Sequence, residues 1–430
     1  MTDRIDEALA AAERRYVERR PRTRALHERA SDVLPGGNTR TVLYHAPFPI
    51  RVVDAWDSCL RDVDGHEYVD LLGNFSAGLF GHTNPAIAEA VTTAMTAGIG
   101  PGAHTAAEIS MAEAICKRFP TIERVRFTNS GTEANLMALS AARVITGRDR
   151  MLAFRGGYHG GLLTFPGDAS AVNAPYDMIL APYNDADVAR RILDEQADAV
   201  AAVLVEPMLG AGGCIPGEPE FLRTLREATT EIGALLIVDE VMTSRIGPHG
   251  MQHQLGIAAD LTTLGKYLGG GFSFGAFGGR RDVMAVFDPG RSDALPHAGT
   301  FNNNLASMAA GRVGLTAVYT PEVAIRHTAR GDAVRQRLAE TLGLAGAPYQ
   351  VTGVGSLMNL HATAAPIRDV DDLATVDTRR KQLLFLDLLE AGYYIAARGY
   401  LALSLAVTDE QLNGFIAAVG ASVTDRADLL

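Results

Sequence analysis

Cysteine is scarce in this chain. Cys59, Cys116 and Cys214 are the only three among 430 residues. They have no metal-like spacing and cannot all pair, so no metal site is expected and a reducing cytoplasm is the simplest compartment. Long apolar runs are missing too, and no stretch is of a length to span a membrane. The opening MTDRIDEALAAAERRYVERR mixes acids with bases, unlike a signal peptide. Positive charge is in deficit. Lys and Arg number 39 against 50 Asp and Glu, and the net charge of −11 argues against a general nucleic-acid binder. No internal repeat and no low-complexity tract interrupts the chain.

What remains is ordinary globular composition over a length that exceeds one simple core, so two domains are expected. Residues 4–33 have helical periodicity and end at LPGG. Leu60–Leu72 reads as a β-hairpin turning at Asp64–Gly65. From about residue 84 apolar strands alternate with amphipathic helices. Strands are predicted at Arg124–Asn129, Arg150–Phe154, Asp198–Pro207, Ala234–Glu240 and Asp260–Lys266, with helices at Gly131–Thr146 and around Glu218–Ile232. This alternation predicts an α/β fold with a mostly parallel sheet and helices on both faces. Beyond about residue 320 helices at 321–343, 374–390 and 408–424 surround short strands near 348–360 and 393–404. The expected division is an N-terminal segment 1–75, a large domain 76–320 and a C-terminal part 321–430. The first and last of these together make a smaller α+β domain.

In such sheets ligands collect at the carboxyl ends of the strands. Three features lie there. NSGTEAN (Asn129–Asn135) runs from a strand into a helix, with Ser130 and Glu133 in capping-box spacing. By itself it is a well-capped helix. As an anion site, Gly131 admits close backbone approach, and the hydroxyls of Ser130 and Thr132 add donors. Asp239 ends a strand that carries no other charge from Ala234 to Val238. Alone, it is as readily a surface acid or a cap. Lys266 ends the next strand, with three glycines at 269–271 just beyond it. A lysine with apolar neighbours either snorkels to solvent or has its amine tuned for chemistry. Taken in order, an anion cradle, a carboxylate and an amine match the needs of pyridoxal phosphate. The phosphate takes the helix terminus, the pyridine nitrogen the aspartate, and the aldehyde the lysine.

With these residues the chain resembles the class III, fold-type I pyridoxal-phosphate aminotransferases. The resemblance is carried by NSGTEAN, GGYHG, VEP, DEVMTS, TTLGKYLGGG, GAFGG and HAGTFNNN over nearly the whole length. It implies a large domain on a seven-stranded, mostly parallel sheet, with pyridoxal 5′-phosphate as cofactor. Lys266 would be the Schiff-base lysine and Asp239 the partner of the ring nitrogen. Ser130, Gly131 and Thr132 would hold the phosphate, while Tyr158 would stack on one ring face and Val241 pack the other. Thr300 would reach the cofactor phosphate of a neighbouring subunit, in a homodimer with shared active sites. Glu206 matches a family acid near the cofactor, where a structural role serves equally well. His159 is assigned to packing.

One departure separates branches of the family. Relatives acting on γ-aminobutyrate or ornithine carry a glutamate five residues after EP, and here that position is Ala211. DEVMTSR resembles the glutamate-1-semialdehyde aminomutase branch. Within it GGNTRTVLYHAPFPI, TSRIGPHG, GTFNNN and ARGY are most similar to aromatic β-amino-acid aminotransferases. Arg40 and Arg398 then fall where that group contacts substrate carboxylates, although surface exposure is the commoner fate of arginine. Tyr44, Phe48 or Phe75 would line a pocket for the aromatic group. The implied reaction passes nitrogen from a β-amino acid such as β-phenylalanine to 2-oxoglutarate or pyruvate. An aminomutase is the nearer alternative and a non-catalytic cofactor-binding regulator the more distant one.

Overall fold

The computed structural model describes residues 2–167, 170–374 and 376–429. It divides into two compact units. The larger comprises Pro85–Ala329 and Pro366–Ala374; the smaller runs to Asn84 and takes in Arg330–Ala365 and the chain after Thr375. The divisions therefore fall after residues 84 and 329, not 75 and 320, and 366–374 return to the larger unit. Periodicity could not mark the second of these, because one helix, Pro321–Leu344, runs straight through it.

The larger unit is built on seven strands: β1 (Arg124–Thr128), β2 (Arg150–Phe154), β3 (Asp177–Ala181), β4 (Val200–Val205), β5 (Leu235–Asp239), β6 (Leu261–Gly265) and β7 (Gly275–Gly279). Their spatial order is 1-7-6-5-4-2-3. All pairings are parallel except those of β7, which is antiparallel to both β6 and β1. The central strands β4, β5 and β6 are buried at every position because successive side chains enter opposite cores. Leu235 and Ile237 pack on the side of helix Gly131–Thr146, with Ala138 and Ala142. Leu236 and Val238 pack on the other side, with Phe221 and Leu225 of helix Pro219–Ile232.

Two strands escaped the sequence pattern. β3 is a half-buried edge strand. β7 reads GAFGG, and glycine is a poor strand former. Its glycines answer a packing need: a Cβ on Gly275 would strike the Ser130 carbonyl, and one on Gly279 the Asp260 carbonyl. The backbones thus approach more closely here than any side chain allows.

The smaller unit joins both ends of the chain. Glu67–Asp70 pairs antiparallel with Cys59–Asp62, forming the expected hairpin, and parallel with Tyr393–Tyr394 from the far end of the sequence. A second sheet aligns Gln350–Val354, Leu357–His361 and Tyr400–Ala402. The leucines of helix Thr378–Glu390 fill the core against Tyr16 and Phe415. The N-terminal helical stretch is two helices, Thr2–Arg19 and Pro21–Ser31. Pro21 breaks the pattern because it has no amide to donate and begins a helix well. Among the described residues no helix is long and apolar enough to cross a membrane, and all three cysteines are free.

Candidate active site

Asp239 is the last residue of β5 and is only 4% exposed. Its Oδ2 accepts from Asn135 Nδ2 and from His159 Nδ1, both at 2.8 Å, and its Oδ1 accepts from the Val241 amide at 2.9 Å. Asn135 is itself fixed: its Oδ1 accepts from Thr263 Oγ1 at 2.8 Å, and its Nδ2 also reaches the His159 carbonyl at 3.0 Å. Helix, strand and loop thus converge on one buried carboxylate. Oδ1 receives a single donor and keeps a lone pair for a further N–H. The structure corrects the packing role given to His159, which donates directly to Asp239. Asn135 and Thr263 had no local signal of their own.

Glu206 follows β4 and holds the loop that carries Tyr158. Its Oε1 accepts from the Tyr158 amide at 3.1 Å and its Oε2 from the Gly210 amide at 2.8 Å. Burial pushes its carboxyl up to about 7, opposed by His159 and assisted by Asp239. Its observed contacts are therefore to backbone. The Tyr158 side chain remains 40% exposed, free to meet a ring.

At the end of β1, Ser130 caps helix Gly131–Thr146 by accepting from the Glu133 amide at 3.2 Å. Glu133 bonds back to the Asn129 amide at 3.0 Å, one residue earlier than a capping box requires. Gly131 and Thr132 carry first-turn amides that a helix cannot satisfy internally. The Thr132 hydroxyl accepts from the Gly161 amide at 3.3 Å and keeps its own proton to donate. Val241 packs on Gly131, leaving no space there for a side chain. Lys266 follows β6 directly, half-buried, with φ of 54°. That left-handed conformation is costly for a lysine and is found where surrounding structure imposes it for function. HAGTFNNN is tied to the same region, since Asn129 Nδ2 donates to Asn302 Oδ1 at 3.0 Å and Asn304 caps the next helix. Thr300 within it is exposed.

Arg40 and Arg398 lie in the smaller unit, and one turn brings them together. Gly73, Asn74, Phe75 and Ser76 all have positive φ, from 45° to 74°. Arg40 Nη1 donates to Asn74 Oδ1 at 2.8 Å, while the Arg398 guanidinium lies 5.0 Å from the centre of the Phe75 ring. Phe75 stacks in turn on Tyr400, at 5.6 Å. Neither arginine makes an ion pair among the described residues. Of the aromatic residues expected around a substrate, Phe48 is consumed by the core against Tyr16, whereas Tyr44 is exposed.

In the larger unit an anion-ready helix terminus, a buried carboxylate with a spare lone pair, an apolar contact at Val241 and a lysine suit the phosphate, ring nitrogen, ring face and aldehyde of pyridoxal phosphate. The chain belongs to the class III aminotransferases, whose family model matches residues 43–421. It is 50% identical to the β-phenylalanine transaminase of Variovorax paradoxus over 99% of this chain and 98% of that protein. The crystal structure of a β-phenylalanine aminotransferase from the same organism superposes with a TM-score of 0.98, covering 99% of each chain at 50% identity. A glutamate-1-semialdehyde 2,1-aminomutase from Methanothermobacter thermautotrophicus is more distant, 37% identical over 86% of this chain and 90% of its own length. The protein is thus an aminotransferase with pyridoxal phosphate as its cofactor.

Proposed function

We propose that this enzyme moves the amino group of an aromatic β-amino acid, such as β-phenylalanine, to 2-oxoglutarate or pyruvate, leaving a β-keto acid. The observation that carries the assignment is the fastening of Arg40 and Arg398, remote in sequence, to adjacent residues of one left-handed turn. Two guanidiniums without ion partners among the described residues suit a reaction whose donor and acceptor hold their carboxylates at different distances from the reacting carbon. Ala211 removes the acid that accompanies ω-amine specificity, and the Variovorax relative is named for β-phenylalanine.

Bound pyridoxal phosphate supplies an electron sink for the carbon that loses its proton. The protein's residues do the rest. Lys266 would hold the cofactor through its aldehyde and, once displaced, would carry the proton to and from the substrate carbon. Asp239, oriented by Asn135 and His159, would hold a proton on the cofactor's ring nitrogen. Ser130, Gly131 and Thr132 would hold its phosphate, and Tyr158 and Val241 would pack against its ring. Arg40 and Arg398 take carboxylates.

The test is a panel of β-phenylalanine, α-phenylalanine and γ-aminobutyrate against 2-oxoglutarate and pyruvate. β-Phenylalanine is expected to be the best donor. Arg40→Ala should lower its kcat/KM by about 30-fold or more, the low end for a lost charge-assisted carboxylate contact, with cofactor binding unchanged. Preference for γ-aminobutyrate, or nitrogen migration without an acceptor, would overturn the assignment.

The assembly is a homodimer in which Thr300 serves the partner's cofactor phosphate, and the compartment is the cytoplasm, in keeping with three free thiols. Sedimentation is expected to give a dimer that loses cofactor on dissociation. A fully active monomer at assay concentration would contradict it.

A further inference from the structure

Arg398 sits in a short turn between the strands Tyr393–Tyr394 and Tyr400–Ala402. Backbone bonds close this turn on two sides. The Gly399 amide donates to the Ala396 carbonyl at 2.8 Å, and the Leu360 amide donates to the Gly399 carbonyl at 3.0 Å. The Arg398 carbonyl is reached instead by a side chain, Lys381 Nζ, at 3.2 Å. Lys381 stands on helix Thr378–Glu390 and also donates to His361 Nδ1 at 3.1 Å. Nδ1 accepts from this ammonium, and Nε2 on the other side of the ring lies 2.9 Å from Thr352 Oγ1. His361 is fully buried.

Among the described residues no carboxylate accepts from Lys381. Burial and the nearby Arg398 guanidinium push its ammonium down to about 8. An ammonium kept largely out of water, beside another cation and a histidine, is an expensive arrangement for stability alone. What it secures is the backbone of the residue beneath the Arg398 guanidinium. That guanidinium rests over Phe75 and Tyr400, at 5.0 and 5.8 Å, and among the described residues its buried Nε has no hydrogen-bond partner. With rings on one side and no ion pair among the described residues, the backbone sets where its donors point.

We propose that Lys381 is a positioning residue for Arg398: by holding its carbonyl, it sets the affinity of the enzyme for carboxylate-bearing substrates. The inference rests on the reading of Arg398 as a carboxylate contact. It also separates two roles in this cluster, since Lys381 acts on the backbone of Arg398 and never on the substrate.

The experiment is a double-mutant cycle on the holoenzyme with β-phenylalanine and 2-oxoglutarate. Lys381→Met keeps the length of the side chain and removes its donors. It is expected to raise the donor KM by roughly 10-fold, the scale of one lost charge-assisted hydrogen bond, with kcat and cofactor absorbance little changed. Arg398→Ala should raise KM further. In the Arg398→Ala background the Lys381 substitution should have no additional effect, because the group it positions is gone. A KM unmoved by Lys381→Met, or an effect that persists without Arg398, would overturn the proposal and leave the substrate assignment intact. An Arg398→Ala enzyme with unchanged KM would instead remove the premise, and the proposal with it. If Lys381→Met does not yield folded enzyme, Lys381→Leu, which likewise lacks a donor, carries the same cycle.

Discussion

Lys266→Ala is expected to abolish transamination, a loss of about 10⁵-fold or more on the scale of removing a covalent nucleophile. The absorbance of lysine-bound pyridoxal phosphate should vanish with it. The fold should survive, for a reason the backbone supplies. At a φ of 54° the strain arises from the Cβ, which alanine retains. Alanine therefore neither relieves the strain nor adds to it, and the preceding buried strand keeps its ladder. Glycine at the same position would relax the backbone and raise stability by about 1 kcal/mol while equally abolishing activity. Absorbance spectra, urea titration and initial rates on both variants make the comparison. Activity near wild type in either would refute the assignment of Lys266.

Asp239→Asn should lower kcat by about 10²-fold or more while cofactor still binds, since a neutral amide no longer favours a proton on the ring nitrogen. The geometry adds a second cost. Both carboxylate oxygens accept: one from Asn135 and His159, the other from the Val241 amide. An asparagine has one accepting oxygen, so in either orientation its NH2 faces a donor. Leaving such a buried group unsatisfied costs about 1–3 kcal/mol of stability. The variant should therefore lose both rate and denaturant resistance, with cofactor content measured separately. An unchanged kcat would reduce Asp239 to a structural residue.

Much of this site could be read in the sequence because its parts sit where local patterns end. Helix Gly131–Thr146 and strand Arg150–Phe154 form over the expected residues, since caps, periodicity and unbroken apolar runs are local signals. Asp239 and Lys266 stand out as lone charges beside buried strands. Asn135 and Thr263 were invisible for the opposite reason. Each looks ordinary on its own element, and their importance lies in a hydrogen bond between a helix and a strand remote in sequence. His159 was undervalued in the same way, because nothing in GGYHG states that the ring meets Asp239. In GAFGG the propensity signal pointed away from a strand, and only the neighbouring carbonyls explain the glycines.

The placement of β7 also bears on how the protein is made. β1, which leads into the Ser130–Gly131 turn, has β7 as its one sheet neighbour among the described residues, with Thr128 opposite Gly275. As the chain leaves the ribosome, β1 emerges early, but its partner appears only after most of the larger unit has been synthesised. Such non-local pairing is slow, and it exposes an unpaired edge while the chain waits. It also makes the completion of β1 the event that brings Ser130 and Gly131 up to the strand leading to Lys266. A nascent chain stopped before β7 holds the letters NSGTEAN without the sheet that sets them beside Lys266.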